Sequence, residues 1–184
     1  MPPFNNIKTP KNIFCLLKIV FLKNAFNFLS NYEYVRLLQI HPHRQALVSI
    51  PLKRLNSYAP VEIIEINPVE IKDENLIERA LEQEAEKIQA LIKANSYVIT
   101  LEILGKQMSS EDFAGKIDEI INSGISELVF VIGSSYGLSP LISKRADLKL
   151  SFSKMTFLHQ FARLILVEQI YRAFKILKNE TYHK

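Results

Sequence analysis

The sequence predicts an α/β fold with a mostly parallel sheet flanked by helices, and three observations carry that prediction. From Tyr32 onward, short apolar runs of strand length alternate with longer amphipathic stretches, which is the pattern of strand-helix-strand units. Residues 75–93 place Leu76, Ala80, Leu81, Ala85, Ile88 and Leu91 at three-and-four spacing, one apolar stripe of a helix. The chain has 184 residues, 48% of them apolar, enough to bury one ordinary core.

Taken in order, residues 34–40 are a candidate first strand. Residues 45–58 are a helix that Pro51 must kink or restart, because proline lacks the amide a helix interior uses. Val61-Glu62-Ile63-Ile64-Glu65-Ile66 is a strand, and the helix over 75–93 follows a polar loop through Pro68. A strand at 97–101, a helix at 110–123 capped by Ser109 or Ser110, and a strand at 128–132 come next. A short strand at 148–152 and a long helix at 157–178 complete the chain.

Charge is segregated along this framework. Lys8, Lys11, Lys18 and Lys23 account for the whole formal excess of +4, in a segment that holds no acid before Glu33. Residues 61–90 carry nine acids against three bases, and residues 141–184 carry nine bases against three acids. A polyanion is expected to meet the C-terminal part, although a solvated helix face produces the same count. Residues 1–31 are expected to be an N-terminal extension outside the domain, which occupies 32–184. The apolar runs in that extension reach only five residues, short of the ~20 that span a bilayer, so no membrane segment is expected. The single cysteine, Cys15, excludes an internal disulfide and fits a cytoplasmic setting.

In a parallel sheet, ligands bind beyond the carboxyl ends of the strands. Three such ends carry unusual residues: Thr100-Leu101-Glu102-Ile103-Leu104-Gly105-Lys106, Ile132-Gly133-Ser134-Ser135-Tyr136-Gly137-Leu138-Ser139-Pro140, and Ser151-Phe152-Ser153-Lys154-Met155-Thr156-Phe157. They are expected to converge. Gly133 and Gly137 allow close backbone approach or positive φ, as an ordinary turn also requires, and the three-glycine dinucleotide fingerprint is absent. Ser153 and Thr156 either hold a polar ligand edge or cap the last helix. The last helix is apolar on more than one side, through Phe161, Leu164, Ile165, Tyr171 and Phe174 and again through Leu166, Ile170 and Leu177. It is therefore expected to serve both the core and a homodimer interface. His159 and Arg163 are read as a surface pair. Histidines and carboxylates lack metal-ligand spacing, so no metal is expected, and no elbow serine is present.

These loops resemble the RlmH family of SPOUT-class methyltransferases, which act on N3 of pseudouridine 1915 in 23S ribosomal RNA. The resemblance rests on Val131-Ile132-Gly133, Gly137-Leu138 and above all Leu150-Ser151-Phe152-Ser153-Lys154-Met155-Thr156-Phe157 with His159-Gln160. It extends through Thr100-Leu101-Glu102, Gly105-Lys106, Glu168-Gln169, Tyr171-Arg172-Ala173-Phe174-Lys175-Ile176 and Tyr182-His183-Lys184, covering roughly residues 45–184. Ser134 stands where a second glycine is usual and Leu158 where proline is, and the family's opening Val-Gly-Lys turn does not occur before Gln45. The resemblance implies a C-terminal trefoil knot, an exception to unknotted folding. It further implies a homodimer and S-adenosyl-L-methionine as cofactor, bound by Leu101, Gly133, Phe152, Ser153, Lys154, Met155, Thr156 and Phe157. The partner in this reading is 23S rRNA in the assembled ribosome. Tyr182, His183 and Arg172 are the candidate catalytic residues. The competing expectations are a SPOUT methyltransferase with another RNA target, such as transfer RNA, and a non-catalytic ribosome-associated binding protein.

Overall fold

The computed structural model describes residues 14–20, 52–66, 69, 73–125, 127–134 and 136–181. Its elements are β1 (Phe14–Val20), β2 (Val61–Ile66), α1 (Ile77–Leu91), β3 (Tyr97–Lys106), α2 (Ser110–Asn122), β4 (Glu127–Ile132), α3 (Pro140–Arg145), β5 (Leu148–Leu150) and α4 (His159–Leu177). The strands form one sheet in the order β2-β1-β4-β3-β5. β3 is parallel to β4 and β5, whereas β1 is antiparallel to both of its neighbours, so four of the five strands run the same way.

Alternation along each strand sends its residues to two cores, one on each face. Ile99, Leu128 and Phe130 point to the face covered by α2 and α4, where Phe113, Ile117, Ile120, Leu166, Val167 and Ile170 meet them. Val98, Val129 and Val131 point to the other face, against Ala85 and Ile88 of α1 and Ile142 of α3. β4 is buried along its whole length, as a strand covered on both faces must be. Mostly parallel direction with helices on both faces is the architecture that the strand-helix alternation predicts.

Several boundaries differ from the expectations for physical reasons. The expected strand at 34–40 and residues 45–51 of the expected helix lie outside the described residues, while 52–55 are helical. Phe14–Val20, within the segment read as an extension, pairs on one side with β2 and on the other with β4. Its lysine-interrupted apolar run masked a strand. β3 continues five residues past Leu101, because Lys106 returns to pair with Leu150 after a bulge. The helix α3 is an element beyond those expected, started by Ser139-Pro140: the Ser139 hydroxyl accepts from the Leu141 amide and proline occupies the first turn. Among the described residues, no helix is long and apolar enough to cross a membrane.

Candidate functional site

Leu101 stands in register with Ile132 of β4 on one side and Leu150 of β5 on the other. The residues that follow Ile132 and Leu150 leave the sheet at this end, while those after Leu101 form the irregular part of β3 before Lys106 pairs with Leu150. The three sequence-selected loops converge there, as strand direction requires.

The first loop is the β3 bulge, in which Glu102 is held by two hydroxyls. Thr100 Oγ1 donates to Oε1 at 2.7 Å, and Ser143 Oγ of α3 donates to Oε2 at 3.1 Å. Glu102 thus ties the first loop to the helix that follows the second. Leu104, beside it, is 99% exposed, and Ile103 is also exposed. Gly105 lies against the β5 backbone: a Cβ there would stand 2.7 Å from the Lys149 carbonyl oxygen.

The second loop closes on itself. Ser134 N donates to the Gly137 carbonyl at 3.1 Å and Gly137 N to the Ser134 carbonyl at 2.9 Å, a turn that Gly137 completes at φ +89°. Gly133 faces this turn, so a Cβ would meet the Gly137 carbonyl oxygen at 2.6 Å. Its requirement for glycine therefore comes from its own loop. Ser134 Oγ also accepts from Tyr136 N at 3.3 Å.

The third loop is tied to the first through Ser151, which is buried. Its hydroxyl lies 2.9 Å from the Ile103 carbonyl and 3.0 Å from that of Ser153, and its amide donates to the Lys106 carbonyl at 2.9 Å. Phe152 packs on the core and Ser153 is half-buried, its hydroxyl accepting from Met155 N at 3.0 Å. Lys154, Met155, Thr156 and Phe157 are exposed. Leu158 is the N-cap of α4 and supplies no side-chain cap, so the capping role considered for Ser153 and Thr156 does not occur. The loop leaves its chemistry facing outward.

Leu101, Gly133 and the run from Phe152 to Phe157 are thus brought to one edge. Of the candidate catalytic residues, Arg172 sits on α4, where its Nη2 donates to Glu168 Oε1 at 3.0 Å, and Tyr182 and His183 lie outside the described residues. Arg163 is not the surface residue expected. Its Nη1 meets Glu65 Oε1 at 2.6 Å, with the two side chains 13% and 16% exposed, and the pair ties α4 to β2. His159 is half-buried, and burial, then the nearby Arg163 charge, push its pKa below the ordinary histidine value. Glu102 and Ser151, carried in the sequence only as members of the first and third loops, and Ser143, which it does not single out, join these loops to their neighbours through contacts 41 and 48 residues apart. Among the described residues, no group of three or more His, Cys, Asp or Glu side chains is placed to hold a metal ion.

Comparison with known proteins finds a family profile described as "Predicted SPOUT methyltransferase" matching residues 40–183. The chain is 48% identical over 139 residues to the "Putative ribosomal RNA large subunit methyltransferase H" of Methanococcus maripaludis, covering 72% of this chain and 85% of that protein. It is 47% identical over 137 residues to the "Ribosomal RNA large subunit methyltransferase H" of Enterococcus faecalis, covering 72% of this chain and 86% of that one.

Proposed function

Because the chain belongs to the SPOUT methyltransferase family, within its RlmH branch, we propose that it transfers the methyl group of S-adenosyl-L-methionine to N3 of pseudouridine 1915 in 23S rRNA of assembled ribosomes. The observation that carries this reading is the convergence of three loops at the carboxyl edge of adjacent parallel strands, with Leu150-Ser151-Phe152-Ser153-Lys154-Met155-Thr156-Phe157 forming one of them.

The residues at that edge fit the cofactor. Exposed Leu104, Tyr136, Met155 and Phe157 offer apolar surface suited to an adenine ring. The polar main chain of the Ser134–Gly137 turn and of the loop after β5 suits the ribose and the amino-acid end. Leu101, Gly133, Phe152, Ser153, Lys154, Met155, Thr156 and Phe157 are the binding set in this reading. S-adenosyl-L-methionine supplies an electrophilic methyl group on a sulfonium, so the protein's tasks are positioning and control of one proton.

The imide N3 must lose its proton before or during attack. A cationic, hydrogen-bonding pocket stabilises the resulting anion. Tyr182, His183 and Arg172 are the residues proposed for it, with the aromatic ring stacking on the base and the cationic groups holding phosphate or the ionised imide. The active form is a homodimer in which the tail of one subunit completes the other's site, in the cytoplasm with the ribosome. Exposed Leu158 and Phe161 at the start of α4 are apolar surface of the kind a twofold interface covers. The threading of the C-terminal part as a trefoil knot belongs to the same reading.

Calorimetry with S-adenosyl-L-methionine, followed by methyl transfer to ribosomes and to transfer RNA in parallel, tests the proposal. Binding with transfer to ribosomes supports it. Binding with transfer to transfer RNA alone moves the target, and an absence of binding heat leaves a non-catalytic ribosome-associated protein.

A further inference from the structure

The end of α4 is fixed more firmly than an ordinary chain end. Asn179 adopts φ +54°, a left-handed conformation that asparagine tolerates better than most side chains. Around it the Asn179 amide donates to the Ile176 carbonyl and the Glu180 amide to the Lys175 carbonyl, both at 3.0 Å, the paired bonds that close a helix and turn the chain away from it. Glu180 is then held from two sides. The Tyr58 hydroxyl donates to its Oε2 at 2.7 Å, and Lys175 Nζ meets the same oxygen.

Tyr58 is itself immobilised. Its amide donates to the Leu55 carbonyl at 2.9 Å, and Leu55 is fully buried. Its ring stacks on Phe174 at 5.8 Å, meets Tyr171 edge-on at 5.7 Å, and lies under Lys178 Nζ at 4.5 Å. The Glu180 carboxyl is held below the ordinary range by Lys175 and then by Tyr58, which keeps it ionised and acting as the acceptor. Glu180 stands two residues before Tyr182. The ring of Tyr58 packs on the core, whereas the bonds to the partly exposed Glu180 carboxylate add little to stability.

We propose that Tyr58, Lys175 and Glu180 form a clamp that fixes the end of α4 two residues before Tyr182, making Tyr58 and Glu180 positioning residues for methyl transfer. The inference rests on the functional reading above for the role of the tail. Tyr58 is 122 residues from Glu180 in sequence, so the clamp couples the segment before β2 to the chain end. Small errors in placing a reacting group lower the rate of the chemical step without weakening cofactor binding.

The test uses Tyr58→Phe, which deletes one hydroxyl and keeps the ring contacts, and Glu180→Ala, which removes both bonds at an exposed position. A chain lacking residues 182–184 is the reference. Both substitutions are expected to lower kcat on ribosomes by ~10- to 100-fold, with unchanged calorimetric affinity for S-adenosyl-L-methionine and an unchanged melting temperature. Glu180→Gln, which keeps an acceptor for Tyr58 but loses the ion pair, is expected to retain intermediate activity. Wild-type kcat in both variants beside an inactive truncated chain overturns the clamp and leaves the role of the tail standing. A truncated chain that methylates at the wild-type rate overturns the tail and the clamp together. A fall in kcat matched by falls in cofactor affinity and melting temperature overturns it as well, since the contacts are then only structural.

Discussion

A methyl group added at Gly105 would sit 2.7 Å from the Lys149 carbonyl oxygen and 2.8 Å from the Leu150 carbonyl carbon, both backbone atoms that cannot rotate aside. Gly105→Ala is therefore expected to destabilise the protein by about 1–3 kcal/mol, the usual range for overpacking, as read from denaturant unfolding. At Gly133 the collision is with Gly137 and Leu138 of its own loop. Gly133→Val is expected to push the Ser134–Gly137 turn outward and abolish calorimetric binding of S-adenosyl-L-methionine while the sheet still folds; unchanged affinity removes this loop from the site. Gly133 is visible in the sequence as a point of close approach, though not what approaches it, whereas nothing local marks Gly105 in that way. His159 allows a pH test. Its folded pKa lies below the ordinary value, so between the two the unfolded chain binds more protons and stability rises with pH. Acidification from about pH 7 to about pH 5 is expected to lower the melting temperature less in His159→Gln than in the wild type. Equal slopes would mean that His159 is not shielded from water.

Secondary elements were most legible where periodicity and caps coincide. α2 begins at Ser109, whose hydroxyl accepts from Asp112 N at 3.0 Å while the Asp112 carboxylate accepts from Ser109 N at 3.4 Å. Ser109→Ala is expected to cost about 1 kcal/mol in chemical denaturation. Ser110, the other capping candidate, instead reaches Gln169 of α4 at 2.7 Å, a contact local spacing does not reveal. The stripe over α1 was equally plain, because Ala80, Ala85 and Ile88 bury one side of an otherwise acidic helix. β5 is two residues shorter than the strand expected at 148–152: Ser151 and Phe152 look strand-like, but Ser151 turns its hydroxyl to the carbonyls of Ile103 and Ser153. β1 escaped notice because lysine and asparagine interrupt its neighbourhood, and pairing on both edges is a property of the folded sheet rather than of a local pattern.

At the scale of the whole molecule, β1 brings residues 14–20 into the sheet. The extension expected over residues 1–31 contains Phe14–Val20, and β1 lies between β2 and β4 and joins β2 to the rest of the sheet. A chain beginning at residue 32 is expected to lose cooperative unfolding or melt at a lower temperature, because two strand edges lose their partners; a truncated protein with the full-length melting curve restores the appendage reading. The loop cluster was legible because strand direction alone brings carboxyl ends together, whereas the Glu102–Ser143 and Tyr58–Glu180 contacts span 41 and 122 residues of sequence. The proposed dimer is checked by sedimentation at micromolar concentration, where a twofold species is expected and a monomer requires that one chain complete the site alone. The most direct measurement of the central claim is mass spectrometry of 23S rRNA after incubating unmethylated ribosomes with the protein and isotopically labelled S-adenosyl-L-methionine. The account predicts one labelled methyl group, on N3 of pseudouridine 1915; label on any other nucleotide, or none on rRNA from a preparation that binds the cofactor, would contradict it.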